Sequence, residues 1–500
     1  MTTKQRFIRD GIMLSFVALM TRAVSMAFSA FLSGAVGSDG LGLFTLVMTV
    51  YSFALTLATS GVGLAVTRAV ASDPERRRAA LSSALIYSAI FGSLSCLLLI
   101  ALAPVICLRL ISSPAALPLL HILALSLPAT ALTAALGGYF IGVRRVRANA
   151  LVQIFSQLLR ILLSYALVST HGMGDSAASL RLICIATLIT ELSSLALMVL
   201  QYFIDSSIHK SPLKKRGKLS DISSVALPLA LSQYVRSALI SIEHILIPKR
   251  LIHGGLTSSE ALSGYGILHG MALPAILLPM SPLSSFSGLL VPEFARDEAL
   301  GNKRRMSALT RRAIRITFAY ASLAAAVIFT FSAELGEVIY SSAEAGRYLR
   351  FLAPVIPIMY LDHVSDQILK GVGEQVYSMW VNIADSALSL VLVFFLLPRL
   401  LVPGYALVIV LMEAFNFIMS VSRLAKRVSL QGMITPRLLF PLPIAALSCA
   451  LTTRIFAMEN TALSPSSLVL KIFFSICVFV FLDRIADILL CNINKTKNCS

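Results

Sequence analysis

Apolar residues gather into fourteen long stretches separated by short polar gaps. The first six cover residues 10–33, 41–66, 80–108, 118–142, 148–169 and 180–204. The next six cover 223–247, 264–291, 313–334, 349–369, 376–398 and 402–423, and a last pair covers 436–456 and 466–489. Each is near the roughly 20 residues that a helix needs to cross a bilayer. A membrane barrel would instead alternate apolar and polar positions over about ten residues. The pattern therefore predicts an all-α polytopic membrane protein, because helices satisfy their own backbone groups in lipid.

Composition agrees, with a mean hydropathy of +0.84 and 13% charged residues. The charge then sets orientation. About 29 of the 42 basic residues fall at the N-terminus and in every second gap, and about 8 fall in the gaps between. The richer set includes Arg76, Arg77 and Arg78, Lys214, Lys215 and Arg216, and Lys303, Arg304 and Arg305. Basic residues stay inside, so both termini face the cytoplasm and the protein sits in the cell membrane. Anionic lipids favour this charge, which makes up most of the net +18. Its scatter over many short loops argues against nucleic acid as a partner. The apolar segment after Lys4, Arg6 and Arg9 is too long and too polar at its centre for a signal peptide, and reads as an uncleaved first helix. Seven cysteines, with no CxxC and no matching His spacing, predict neither a disulfide framework nor a metal site.

No gap exceeds about 20 residues, and none carries paired carboxylates, DxD, GxSxG or a glycine-rich phosphate loop. An enzyme is not expected. A weak repeat is present instead. The second stretch ends in Ser60-Gly61 with Arg68 beyond, and the eighth in Ser287-Gly288 with Arg296 beyond. Ser15 and Arg22 in the first stretch match Ser232 and Arg236 in the seventh. This predicts parallel six-helix lobes, residues 1–204 and 223–424, around a central cavity. A basic cytoplasmic linker, 205–222, joins them, and a helix pair with a cytoplasmic tail, 425–500, follows.

Ionisable residues within the spans carry the chemistry, since each costs roughly 2.5–3.5 kcal/mol at mid-bilayer unless it meets protein or water. Ser15, Arg22, Ser25, Ser29 and Ser33 fall on one face of the first helix. Gln153, Gln157, Arg160 and Ser164 do so on the fifth, and Ser232, Arg236 and Glu243 on the seventh. Arg22 and Arg236 either line a substrate cavity or pair with Glu191 or Glu243 to lock helices. Asp366 and Lys370 read as an intrahelical pair, and Glu413 with Asn416 as contact between helices. Arginine enters the membrane on the first, fifth and seventh helices, and acids on the tenth to twelfth. Guanidinium forks suit phosphate oxygens, and spare carboxylates suit a small cation, Na⁺ or H⁺.

Residues 37–44 (GSDGLGLF), 59–69 (TSGVGLAVTRA), 138–160 (GYFIGVRRVRANALVQIFSQLLR) and 270–293 (GMALPAILLPMSPLSSFSGLLVPE) are ordered and spaced as in the oligosaccharidyl-lipid flippase superfamily. The chain most resembles its stage V sporulation protein B branch. The resemblance implies alternating access around a cavity lined by the first, second, seventh and eighth helices. It implies a polyprenyl-pyrophosphate-linked oligosaccharide or peptidoglycan precursor as cargo, in cell-wall or spore cortex synthesis. Arg22, Ser25, Ser29, Gln157, Arg160 and Arg236 are the expected substrate-binding residues. Glu243, Asn382 and Asp385 are the expected site of a coupling Na⁺ or H⁺, and no cofactor is implied. Pro274, Pro279 and Pro282, with Gly288, give the eighth helix places to bend. A cation-coupled drug exporter of the same superfamily is the runner-up. It would call for an acidic, aromatic cavity, whereas this chain has arginines there and one tryptophan, Trp380. A non-transporting scaffold for cell-envelope enzymes is the third reading, and it would not need buried arginines.

Overall fold

The computed structural model describes residues 3–59, 61–72, 77–111, 113–143, 145–171, 175–208, 219–428, 436–457 and 464–497. No strand occurs among them. In chain order the helices begin with α1 (Thr3–Thr59), α2 (Val62–Ser72), α3 (Arg77–Val105), α4 (Ala116–Ala124), α5 (Leu127–Gly142), α6 (Val146–His171), α7 (Ser176–Ile208) and α8 (Leu219–His253). Next come α9 (Ser258–Tyr265), α10 (Leu273–Leu277), α11 (Met280–Ala299), α12 (Lys303–Thr330), α13 (Ser332–Tyr340), α14 (Ala343–Leu352) and α15 (Ile356–Gly371). The series closes with α16 (Gln375–Arg427), α17 (Pro436–Leu439), α18 (Pro441–Ala457) and α19 (Pro465–Lys497).

Every predicted apolar stretch falls on helix, but the boundaries differ. The expected gap at 33–40 is helical except at Gly37, whose φ of 74° and ψ of 176° join two helices within α1. Leu401, at φ 56°, does the same within α16. Residues 19–59 would run about 60 Å as one straight helix, twice the roughly 30 Å of bilayer hydrocarbon. The two kinks therefore each divide a pair of spans. By length and apolarity alone, seven helices among the described residues can cross a membrane, or nine if each bent pair counts as one span. The count of fourteen stays an expectation. Leu97, Leu162, Trp380, Phe395, Val469 and Phe481 are all at least 60% exposed. So many exposed large apolar side chains require lipid rather than water, so this is a multi-pass membrane protein.

Packing forms two compact units. The first comprises Met1–Ala30, Ile267–Ser389 and Val402–Ser500, and the second Phe31–Gly266 and Leu390–Leu401. In the first unit α12 packs on α15 and α18, and α11 packs on α15. Its proline-rich stretch breaks at Leu278–Pro279, where prolines remove backbone donors. Tyr360 and Tyr320 donate their hydroxyls to the carbonyls of Ile276 (2.8 Å) and Pro279 (2.6 Å) at the break. The bend is thus held by side chains of two other helices.

In the second unit α2 crosses α5 closely enough that a Cβ on Gly138 would lie 2.5 Å from the Gly63 carbonyl oxygen. Val62, Val66, Val70, Tyr87, Phe140 and Met198 fill the core beside this crossing. The α4–α5 pair bends by 41° at Leu125–Ser126, and α8 packs on α2, α3 and α9.

Candidate transport site

The second unit contains a polar centre that four helices share. Arg160 on α6 and Glu191 on α7 form an ion pair at 2.9 Å. Thr130 on α5 donates to the other Glu191 oxygen at 3.2 Å. The Ser156 and Ser194 hydroxyls meet at 2.6 Å one turn away on the same helices. Tyr51 on α1 bonds Ser126, the residue at the α4–α5 bend, at 2.7 Å. Glu191 is therefore paired with Arg160. The expectation that Arg160 serves substrate meets a competing use of its guanidinium, although its Nε is buried and unpartnered. Gln157 is half-buried and has an interaction of its own.

A second face of this unit joins α8 to the part of α1 beyond Gly37. Tyr234 donates to the Leu57 carbonyl at 3.3 Å, Ser237 to the Thr56 hydroxyl at 3.3 Å and Ser241 to the Thr49 carbonyl at 3.5 Å. His244 bonds Tyr265 at 2.6 Å and lies 3.4 Å from the Thr49 hydroxyl. These residues recur at three- and four-residue spacings, so they share one face of α8. Arg236 lies on another face. It is exposed and makes no hydrogen bond or ion pair with a described residue. Glu243 is half-buried and engaged.

Near Gly37 the same two stretches of chain touch backbone to backbone. A Cβ on Gly42 would lie 1.9 Å from the Leu262 carbonyl oxygen, and one on Gly266 would lie 2.3 Å from that of Ser38. Only glycine permits this approach. Ser38 and Ser263 bond across it at 2.6 Å, and Ser259 donates to Asp39 at 3.3 Å.

In the first unit, Arg22 is exposed and likewise without a partner among the described residues. Ser25 bonds back to the Thr21 carbonyl at 2.9 Å, and Ser29 is half-buried. The side chains of Ser15 and Ser232 lie outside the described ones. An unpaired arginine at mid-span must face water, since lipid would charge it several kcal/mol. Arg22 and Arg236 have no partner among the described residues, whereas Arg160 has Glu191.

The acids of the first unit are partly tied to their neighbours. Asn416 donates to Asp385 at 2.9 Å, which joins the two helices of α16. Asn382 donates to the Ser378 carbonyl one turn back at 2.7 Å, and its amide oxygen accepts no hydrogen bond from a described residue. Asp366 and Lys370 form the expected i,i+4 pair at 2.6 Å. Glu243 belongs to the other unit, whereas Asn382 and Asp385 lie together on α16. Among the described residues, no group of three or more His, Cys, Asp or Glu is arranged to hold a metal ion.

Sequence reasoning missed a clamp at the α15–α16 turn. Buried Glu374 receives Arg423 through both terminal contacts (2.8 and 3.1 Å) and also binds Arg427. Arg423 lies over the Tyr377 ring at 4.9 Å. Hydrogen bonds from Arg423, and then from Arg427, hold the Glu374 carboxyl below the usual carboxylate range despite its burial. The signal in the sequence is an acid in a short gap with two arginines one turn apart some fifty residues on.

Residues 7–297 match the family model described as polysaccharide biosynthesis protein, and residues 249–395 match MatE. Stage V sporulation protein B of Bacillus subtilis (strain 168) is 25% identical over 425 residues, 81% of each chain. Among solved structures, the lipid II flippase MurJ in an inward closed conformation aligns with a TM-score of 0.72 at 12% identity, over 96% of this chain and 100% of that one. An inward-facing multidrug resistance MATE family transporter aligns with a TM-score of 0.66 at 16% identity, over 83% of this chain and 99% of that one.

Proposed function

We propose that this chain, which belongs to the polysaccharide biosynthesis protein family, moves a polyprenyl-pyrophosphate-linked oligosaccharide or peptidoglycan precursor across the cytoplasmic membrane by alternating access. Its curated relative is a stage V sporulation protein, and the solved structures it resembles are a lipid II flippase and a multidrug transporter. The observation that carries the cargo class is the pair of exposed arginines at mid-span, Arg22 and Arg236, neither with a carboxylate partner among the described residues. Unpaired guanidinium groups at that depth suit a multiply charged anion and repel a lipophilic cation, which disfavours the drug-exporter reading.

A bare pyrophosphate cannot enter hydrocarbon, because transfer of an ion costs many kcal/mol. In this account Arg22 and Arg236 replace water around it while the polyprenyl tail stays in lipid. The 1–204 and 223–424 lobes are the moving parts. The glycine crossing of Gly42 on Leu262 and of Gly266 on Ser38 is the outer gate, since it joins the first lobe to the second. Both termini lie in the cytoplasm, so a cysteine at Ser258 labels from outside and one at Lys214 from inside. Coupling uses Na⁺ or H⁺. Asn382 and Asp385 offer an amide oxygen and a carboxylate one turn apart, oxygen donors of the kind such ions take.

The test is native mass spectrometry of the purified protein with undecaprenyl-pyrophosphate-linked disaccharide. Wild type should retain the lipid, and Arg22→Ala/Arg236→Ala should lose it. Retention of a lipophilic cation instead of the lipid by wild type would overturn the reading in favour of an exporter.

A further inference from the structure

We infer that a cavity between α14 and the part of α16 after Leu401 is a subsite for a single pyranose ring. Its lining includes none of Arg22, Arg236 and the acids of α15 and α16. This inference rests on the orientation and cargo class proposed above, which put the cavity at the outer face and make the ring part of a saccharide cargo.

The cavity measures about 220 Å³ and is lined by Glu344, Arg347, Tyr348, Phe351, Pro403 and Ala406. The first four recur at i, i+3, i+4 and i+7, so one face of α14 supplies them. That helix is fixed in place. Ser342 caps it by accepting from the Ala345 N–H at 3.2 Å, and Gly346 packs on α13 with its would-be Cβ 2.9 Å from the Ser332 carbonyl oxygen. Its opposite face is therefore buried, and the lining face is free to receive a ligand.

Glu344 and Arg347 are spaced to form an ion pair, yet neither makes an ion pair or hydrogen bond with a described residue. Tyr348 likewise makes no hydrogen bond with a described residue. Burial pushes its hydroxyl up to about 12, with Glu344 adding to the effect, so it stays protonated and able to donate. Arg350, the next basic residue, does not compete, because its guanidinium lies over the Phe329 ring at 4.9 Å. An acceptor, a fork of donors and a hydroxyl thus converge beside an aromatic ring and a proline.

That combination matches a sugar ring. Vicinal hydroxyls both donate and accept, as Glu344 and Arg347 require, and the C–H face of the ring packs on Phe351 and Pro403. The cavity is smaller than the roughly 300–1,000 Å³ of a drug site, so it holds about one ring. Glu344 opposes a phosphate, and the three polar groups oppose an acyl chain.

The experiment is saturation-transfer NMR on the full chain in nanodiscs, with N-acetylchitotetraose as probe and inorganic phosphate as competitor. Wild type should show transfer to ring protons. Glu344→Gln/Arg347→Gln should weaken binding about tenfold or more, the loss expected of charge-assisted hydrogen bonds. Phe351→Ala should weaken it as well. These side chains are exposed or half-buried, so folding should persist, and an unchanged unfolding midpoint verifies it. Ala406→Leu fills the cavity from the other helix and should have the same effect. Equal transfer in wild type and Glu344→Gln/Arg347→Gln overturns the inference, as does displacement of the sugar by phosphate or no transfer in wild type. Arg22→Ala/Arg236→Ala should leave this signal intact while losing the pyrophosphate lipid, so failure of the subsite and failure of the cargo assignment are separate results.

Discussion

Gly42→Ala tests the outer gate. The added methyl carbon would lie 1.9 Å from the Leu262 carbonyl oxygen and 2.7 Å from its carbon, whereas ordinary contact begins near 3.4 Å. The obstacle is backbone, so the helices must part by about 1.5 Å at this point, because packed interiors have no slack of that size. Such a shift takes the 2.6 Å Ser38–Ser263 bond beyond hydrogen-bonding distance. Overpacking costs about 1–3 kcal/mol and a lost hydrogen bond about 1 kcal/mol more. The closed gate should therefore lose roughly 2–4 kcal/mol, and its population relative to an open one should fall about 30-fold or more. Oxidative cross-linking of Ser38→Cys/Ser263→Cys reads this directly, because the two hydroxyl oxygens already sit at near-bonding separation. The pair should cross-link readily with Gly42 in place and at least about tenfold more slowly with Gly42→Ala. Gly63→Ala is the control, since its Cβ would meet the Ala134 carbonyl oxygen at an ordinary 3.6 Å. Cross-linking at the parental rate in Gly42→Ala would refute the idea that this crossing is a tight gate.

Three further outcomes follow from individual contacts. Glu191→Gln strands Arg160 in a largely buried place, so it should cost roughly 3 kcal/mol of stability. Asp366→Asn removes a more exposed i,i+4 pair and should cost about 0.5 kcal/mol or less; denaturation midpoints in detergent should rank the two variants in that order. The Glu374 carboxyl is held below its ordinary range, so its contribution is present above the unfolded pKa, about 4.3, and is lost as pH falls through the lower folded value. On acidification from pH 6 to pH 3, wild type should lose more thermal stability than Glu374→Gln, and parallel pH profiles would contradict the clamp.

The spans were legible because apolar runs of bilayer length leave few alternatives, and the proline-rich eighth stretch announced its own bend at Pro279. The joints were less so. Gly37 carries a glycine signal, but Leu401 at φ 56° has none, since nothing in a leucine's chemistry marks a left-handed residue. Periodicity put Arg160 on the polar face of its helix, yet it does not say which residue of another helix that face meets. Arg160 and its partner Glu191 are 31 residues apart in sequence. Glu374 was invisible for the same reason, since Arg423 and Arg427 reach it from 49 and 53 residues away. Local pairs such as Asp366–Lys370 were readable because one helix fixes their geometry.

The most direct test of the central claim is translocation in proteoliposomes. A fluorescent undecaprenyl-pyrophosphate-linked disaccharide is placed in the inner leaflet, and its arrival outside is read by a membrane-impermeant quencher. Wild type should move it, and Arg22→Ala/Arg236→Ala should move it at least about tenfold more slowly, as expected when charge-assisted contacts to the pyrophosphate are lost. Equal rates in the two proteins would contradict the claim that these arginines carry the anion across.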